Sequence, residues 1–98
     1  MSWVPLKNHS DYEICTKYPH KIRKASNKEI LAESIQTSGY IRVKLNKQDY
    51  LKHRLIAIQF KPNPKHLPVV DHINGNRTDD HLSNLRWASF SLNSENRH

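Results

Sequence analysis

The segment Tyr40-Ile-Arg-Val-Lys-Leu45 alternates Tyr40, Arg42 and Lys44 with Ile41, Val43 and Leu45, the period of two expected for a strand with one buried face. Thr37-Ser38-Gly39 breaks the chain before it. Asn46-Lys47 makes a tight turn into Gln48-Asp-Tyr-Leu51, which predicts a hairpin. Tyr12-Glu-Ile-Cys15 and Lys21-Ile-Arg-Lys24, parted by Tyr18-Pro19, read as two further short strands. From Lys52 the period changes: in KHRLIAIQFK, Leu55, Ile56, Ile58 and Phe60 fall at helical spacing, predicting a short amphipathic helix. Pro62, Pro64 and Pro68 end it and form an extended link.

The last third carries a different pattern. Val69-Val70 favours a strand, Gly75-Asn76 permits a positive-φ turn, and Leu82 to Trp87 can return as a second strand. Ser89 or Ser91 then caps a final helix bearing Asn93 and Asn96. The reading is an α+β fold: a small N-terminal antiparallel β region, a short helix, and a C-terminal strand, loop, strand, helix unit. It predicts one compact domain, residues 1–98, with a basic β-rich part over 1–52 and the second part over 53–98. A chain of 98 residues has room for no more.

Charge narrows the partner. Sixteen Lys and Arg oppose nine Asp and Glu, a formal net charge of +7, which favours a polyanion, with nucleic acid first. Arg23, Lys24, Arg42 and Lys44, interleaved with Tyr40, read either as a ribbon pressed on DNA or as a solvated face; both readings predict exposure. His53 and Arg54 open the helix, His53 suited to core-edge packing or a phosphate contact. Cys15 stands alone, excluding an intramolecular disulfide and any cysteine-based zinc site. His66, His72 and His81 match no zinc spacing, and His66 and His81 read as solvated. The N-terminus lacks the apolar core of a signal peptide and no run is long enough for a membrane span, so a soluble intracellular protein is expected.

The candidate chemistry lies in VVDHINGNRTDDHLSNLRW, Val69 to Trp87. Its unit can gather Asp71, His72, Asn84 and Asn93. A carboxylate and an amide carbonyl are hard oxygen donors suited to Mg²⁺ or Mn²⁺, and a neutral histidine can deprotonate water near physiological pH. That pairing is what phosphodiester hydrolysis requires. Each residue also has a bland role: Asp71 as a turn acid, His72 as a capping or surface histidine.

DHINGNRTDDHLSNLRW followed by SLNSEN resembles the HNH endonucleases, in particular the phage and intron-encoded homing type in which the third motif residue is Asn. HRLIAIQFKPNPKHLP is similar to the segment that leads into that motif, so the resemblance runs from His53 to about Asn96; WVPLKNHSDYEIC and GYIRVKL resemble, more weakly, DNA-binding modules attached to such nucleases. The resemblance implies a ββα-metal fold and one divalent metal, without structural zinc. It makes His72 the general base, Asp71 a metal ligand, Asn93 its partner ligand in preference to Asn96, and Asn84 the residue that fixes the loop and keeps the histidine oriented. Arg86 is added as a candidate phosphate contact, with Arg54. Double-stranded DNA is the implied partner, and a non-catalytic DNA-binding module that kept the fold is the alternative. Homing enzymes of this type commonly continue past the catalytic helix, so the expectation is a homodimer, action with low specificity, or sequence reading by the N-terminal sheet alone.

Overall fold

A computed structural model of the chain describes residues 2–90. Among the described residues three small antiparallel sheets surround the helix that follows the second of them. The first sheet contains β1 (Trp3–Leu6), β2 (His9–Cys15) and β3 (Ile22–Lys24) in the order β1-β2-β3. The second contains β4 (Glu33–Ile35), β5 (Ile41–Leu45) and β6 (Gln48–Leu51). Chain continuity then leads from β6 straight into α1 (Lys52–Phe60), and β7 (Val69–His72) pairs with β8 (Leu85–Ala88) in the third sheet.

The predicted hairpin is β5–β6, and its turn shows why Asn46-Lys47 marks it. Both residues have positive φ, 49° and 68°, the pattern of a two-residue turn whose twist matches the flanking strands. The pairing register sets Val43 opposite Tyr50 and Lys44 opposite Asp49. Val43 and Leu45 point inward, each 1% exposed. The tyrosine hydroxyl of Tyr12 accepts from the Asn46 backbone N–H at 3.0 Å and so ties the first sheet to this turn.

Two strands were not legible from alternation. In β1 the run Trp-Val-Pro-Leu contains a proline, which demotes a run as a strand; Pro5 sits beside a register shift between β1 and β2. The three residues of β4 are too few to show a period. The Arg23, Lys24, Arg42 and Lys44 set also divides: Arg23 and Lys24 lie in the first sheet, Arg42 and Lys44 in the second. They do not form one continuous ribbon.

In α1 the buried residues are Lys52, His53, Leu55, Ile56 and Ala57. Of the predicted stripe Leu55 and Ile56 are buried, whereas Ile58 and Phe60 are only half-buried, because sheets two and three close over the N-terminal end of the helix. Leu55, Ile56 and Ala57 join Leu6, Tyr12, Ile14, Ile22, Val43, Leu45, Val70 and Leu85 in one core. Lys52 is enclosed in it at 2% exposure, with its ammonium 2.6 Å from Glu33 Oε2 on β4. A buried ammonium needs such a partner.

The strand, loop, strand part of the C-terminal unit is present as β7, a 3₁₀ turn at Leu82–Asn84, and β8. The predicted return strand begins three residues later than Leu82 because that turn precedes it. The positions of the predicted final helix that would carry Asn93 and Asn96 lie outside the described residues.

Candidate active site

Strand geometry separates the two residues of the Asp71-His72 dipeptide. Successive side chains of a strand point to opposite faces, so Val70 and His72 turn inward, 5% and 4% exposed, while Asp71 lies on the other face. There Asp71 is paired in register with Arg86 on β8. Its Oδ2 accepts from Arg86 Nε at 3.1 Å and lies 3.0 Å from Nη2. Both contacts fall on one oxygen, so the guanidinium does not occupy Oδ1. Arg86 is therefore engaged with Asp71, and only its remaining N–H groups can meet a phosphate.

The loop between β7 and β8 closes around Asn84. Its Oδ1 accepts from the Asn74 backbone N–H at 3.0 Å, and its Nδ2 donates to Asn74 Oδ1 at 3.0 Å and to the Asp79 carbonyl at 2.9 Å. The Asn84 carbonyl in turn accepts from Ile73 N–H at 2.8 Å. One amide side chain thus ties Asn74 at the start of the loop to Asp79 near its end. Gly75 sits at φ 79° in the turn that follows His72, with its N–H donated to the His72 carbonyl at 2.9 Å.

Loop closure brings Asp80 against His72. Their Oδ1 and Nε2 atoms are 2.7 Å apart, and the two side chains are only 4% and 3% exposed. His53, from the first turn of α1, lies beside them with its ring centroid 4.6 Å from that of His72. Tyr40 stacks on both rings, 4.9 Å from His53 and 5.7 Å from His72. Burial, with the neighbouring His72 as a lesser cause, pushes the His53 pKa down to about 4, so its ring is neutral near pH 7. His53, His72 and Asp80 together have the composition of a metal site, with candidate ligand atoms within 4.8 Å of one another.

Asp80, His53 and Tyr40 are the members of this cluster that sequence reasoning missed as a group. His53 had a usable signal, since His53, Ile56 and Ala57 follow the i, i+3, i+4 spacing of a buried stripe. Asp80 had none: it sits next to Asp79, which faces out and bonds His81 Nδ1 at 2.5 Å and Asn74 Nδ2 at 3.2 Å. The hydrogen bond from His81 holds the Asp79 carboxyl below its usual range. His81 is not simply solvated, because its ring also stacks on Tyr18 at 3.6 Å.

The basic residues divide into engaged and exposed ones. Arg23 bonds Glu13 at 2.7 Å and its guanidinium covers the Trp3 ring at 4.1 Å, so the predicted free contact is instead part of the first sheet's packing. Lys24 pairs with Glu29 at 3.3 Å, and Arg42 with Asp49 at 3.5 Å and the Ser34 hydroxyl at 3.0 Å. Arg54 donates to the Pro68 carbonyl at 2.8 Å, fastening α1 to the link before β7. Lys44 is exposed. Arg77, which the sequence did not single out, donates to the Ser38 carbonyl and lies over Tyr40, 5.1 Å from its ring centroid. Gly39, at φ 96°, accommodates it: a Cβ there would stand 3.3 Å from Arg77 Cδ.

A hairpin whose loop is closed by an asparagine, with Asp and His adjacent at the end of its first strand, is the framework of an HNH nuclease site. The profile of the HNH endonuclease family matches residues 50–95, and the chain belongs to that family. It is similar to an uncharacterized HNH endonuclease of Acanthamoeba polyphaga mimivirus, 33% identical over 94 residues that make up 92% of this chain and 28% of the relative. It is also similar to DNA endonuclease I-HmuI of Bacillus phage SP01, 30% identical over 101 residues, covering 98% of this chain and 57% of the relative. The solved structure of the HNH homing endonuclease I-HmuI, described as showing DNA binding and cleavage, superposes with a TM-score of 0.79 at 29% identity, over 98% of this chain and 57% of that one. The chain thus spans from about a quarter to a little over half of the length of these relatives.

Proposed function

We propose that the chain is a DNA endonuclease of the homing, phage or mobile-element type, which hydrolyses phosphodiester bonds with one divalent metal, Mg²⁺ or Mn²⁺. The observation that supports this most is the hairpin end itself. Asp71 and His72 stand on opposite faces of one strand, beside a loop held by the three side-chain hydrogen bonds of Asn84. Membership of the HNH family and the likeness to I-HmuI support the choice of DNA as substrate.

In this reading Asp71, with Asn93 from beyond the described residues, would hold the metal. The donors suit it: Asp71 keeps Oδ1 clear of Arg86, and carboxylate and amide oxygens are the donors that Mg²⁺ and Mn²⁺ prefer. When bound, the ion supplies positive charge at the scissile phosphate. His72 takes a proton from water, whose oxygen bonds to phosphorus as the bond to the 3′ oxygen breaks. Because the ring is almost fully buried, the water must be delivered to it with the DNA. Arg86 holds Asp71 and offers its remaining N–H groups to the backbone. Arg42, Lys44, Arg23 and Lys24 supply positive potential along residues 1–52, the DNA-contacting part, and Arg54 adds to it from the start of the nuclease part over 53–98.

A plasmid-nicking assay with Mg²⁺ or Mn²⁺, with and without EDTA, tests the reading. Metal-dependent nicking is expected. DNA retention without nicking under any metal would instead establish a non-catalytic DNA-binding module, the reading that the burial of His72 and the Asp71–Arg86 ion pair would then explain.

A further inference from the structure

Asp80 is an expensive residue to bury. Its side chain is 4% exposed, yet only Oδ1 has a partner; Oδ2 has none among the described residues, nor does Nδ1 of His53. A buried carboxylate is costly unless it is well paired. A stabilising role alone would call for both oxygens to be bonded. The one strong contact it makes is to His72 Nε2 at 2.7 Å.

That distance also separates two uses of the cluster. Two ligands on one tetrahedral ion at bond lengths near 2.0 Å stand about 3.3 Å apart and cis ligands on an octahedral ion about 2.9 Å, so 2.7 Å fits best a direct hydrogen bond between nitrogen and carboxylate. The neighbours restrict the ring further. Tyr40 stacks on one side and His53 tilts against it at 50°. His53, neutral through burial, brings no cation to draw Asp80 away.

We infer that Asp80 is the positioning residue of His72: it accepts the Nε2–H, thereby leaving the lone pair on Nδ1 and fixing the angle at which that nitrogen meets water. A neutral imidazole has one donor and one acceptor nitrogen, so holding the proton on one edge assigns the base to the other. The inference rests on the proposed role of His72 as general base. It adds which ring nitrogen accepts the proton and which side chain decides so.

The tests separate the two levels. In the wild-type protein, ¹⁵N NMR of the neutral His72 ring should show the Nε2–H tautomer; an Nδ1–H tautomer overturns the inference whatever the variants do. Asp80→Ala should lower kcat by about 10–100-fold, the usual cost of losing a partner that orients a functional histidine, with KM and DNA affinity unchanged. Asp80→Asn keeps an acceptor oxygen at Oδ1 and should recover most of the lost rate. If both Asp80 variants cleave at the wild-type rate while His72→Ala is inactive, Asp80 has no positioning role. If His72→Ala itself cleaves normally, the general-base reading fails first. Should Asp80→Ala fail to fold, the tautomer and the Asp80→Asn rate decide the matter.

Discussion

Asp71 on β7 and Arg86 on β8 face each other across the hairpin, with both contacts of the guanidinium, 3.1 and 3.0 Å, on a single carboxylate oxygen. The carboxylate is oriented by the partner strand and still has an oxygen to give. His72, the next residue, is turned to the other face and into the core.

This separation predicts separable mutants. Asp71→Ala should lose metal binding, measured by calorimetry with Mn²⁺, together with cleavage. His72→Ala should abolish cleavage, a loss of at least about 10²-fold for a general base, while metal and DNA binding persist. Retained cleavage in His72→Ala with saturating metal would refute the assignment.

Asn84→Ala removes three side-chain hydrogen bonds and leaves the Asn74 N–H and the Asp79 carbonyl without them. Each such bond contributes on the order of 1 kcal/mol, so a loss of about 2–3 kcal/mol in urea unfolding is expected. Asp80 is delivered by the same loop, so cleavage should fall as well, even at temperatures where the variant is fully folded.

The Lys52–Glu33 pair is asymmetric, with side-chain exposures of 2% and 19%. Removing Glu33 strands a buried ammonium, whereas removing Lys52 leaves a carboxylate that water reaches. Glu33→Ala is therefore expected to cost about 3 kcal/mol, and Lys52→Met clearly less. Equal losses in denaturant titrations would contradict this account.

Acid should weaken the fold through His53. Its pKa is lowered from the usual 6.5 to about 4 by burial, so between those values the unfolded chain binds the proton and the native one does not. The stabilisation is complete above pH 6.5 and is lost as pH falls from there toward 4. A shift of that size corresponds to at most about 3 kcal/mol. His53→Phe, which keeps a ring in the stack, should flatten the fall in stability between pH 7 and 4.5; an unchanged slope would place the effect elsewhere.

The strands and the helix could be read wherever a period had room to show itself. β5, its turn at Asn46-Lys47, α1 and β7 all follow from local patterns, because alternation, positive φ and helical spacing are properties of neighbouring residues. β1 and β4 could not be read in this way: one contains a proline and the other has three residues. Their pairing is decided by partners elsewhere in the chain. The exposure expected for Arg23 failed for the same reason, since Glu13 and Trp3 come from the strands beside it.

The sequence by itself determined the donor types and their order: an acid, a histidine and an asparagine around a loop, in a basic chain. It could not say that Asp71 would be bound to Arg86, or that Asp80 and not its neighbour Asp79 would meet His72. Two adjacent acids in a loop carry no periodicity to tell them apart. Their difference arises when Asn84 closes the loop and sets one carboxylate against the buried histidine, leaving the other in water. That choice depends on tertiary contacts, because the low-dielectric space that makes it matter exists only once α1, Tyr40 and the hairpin have packed together.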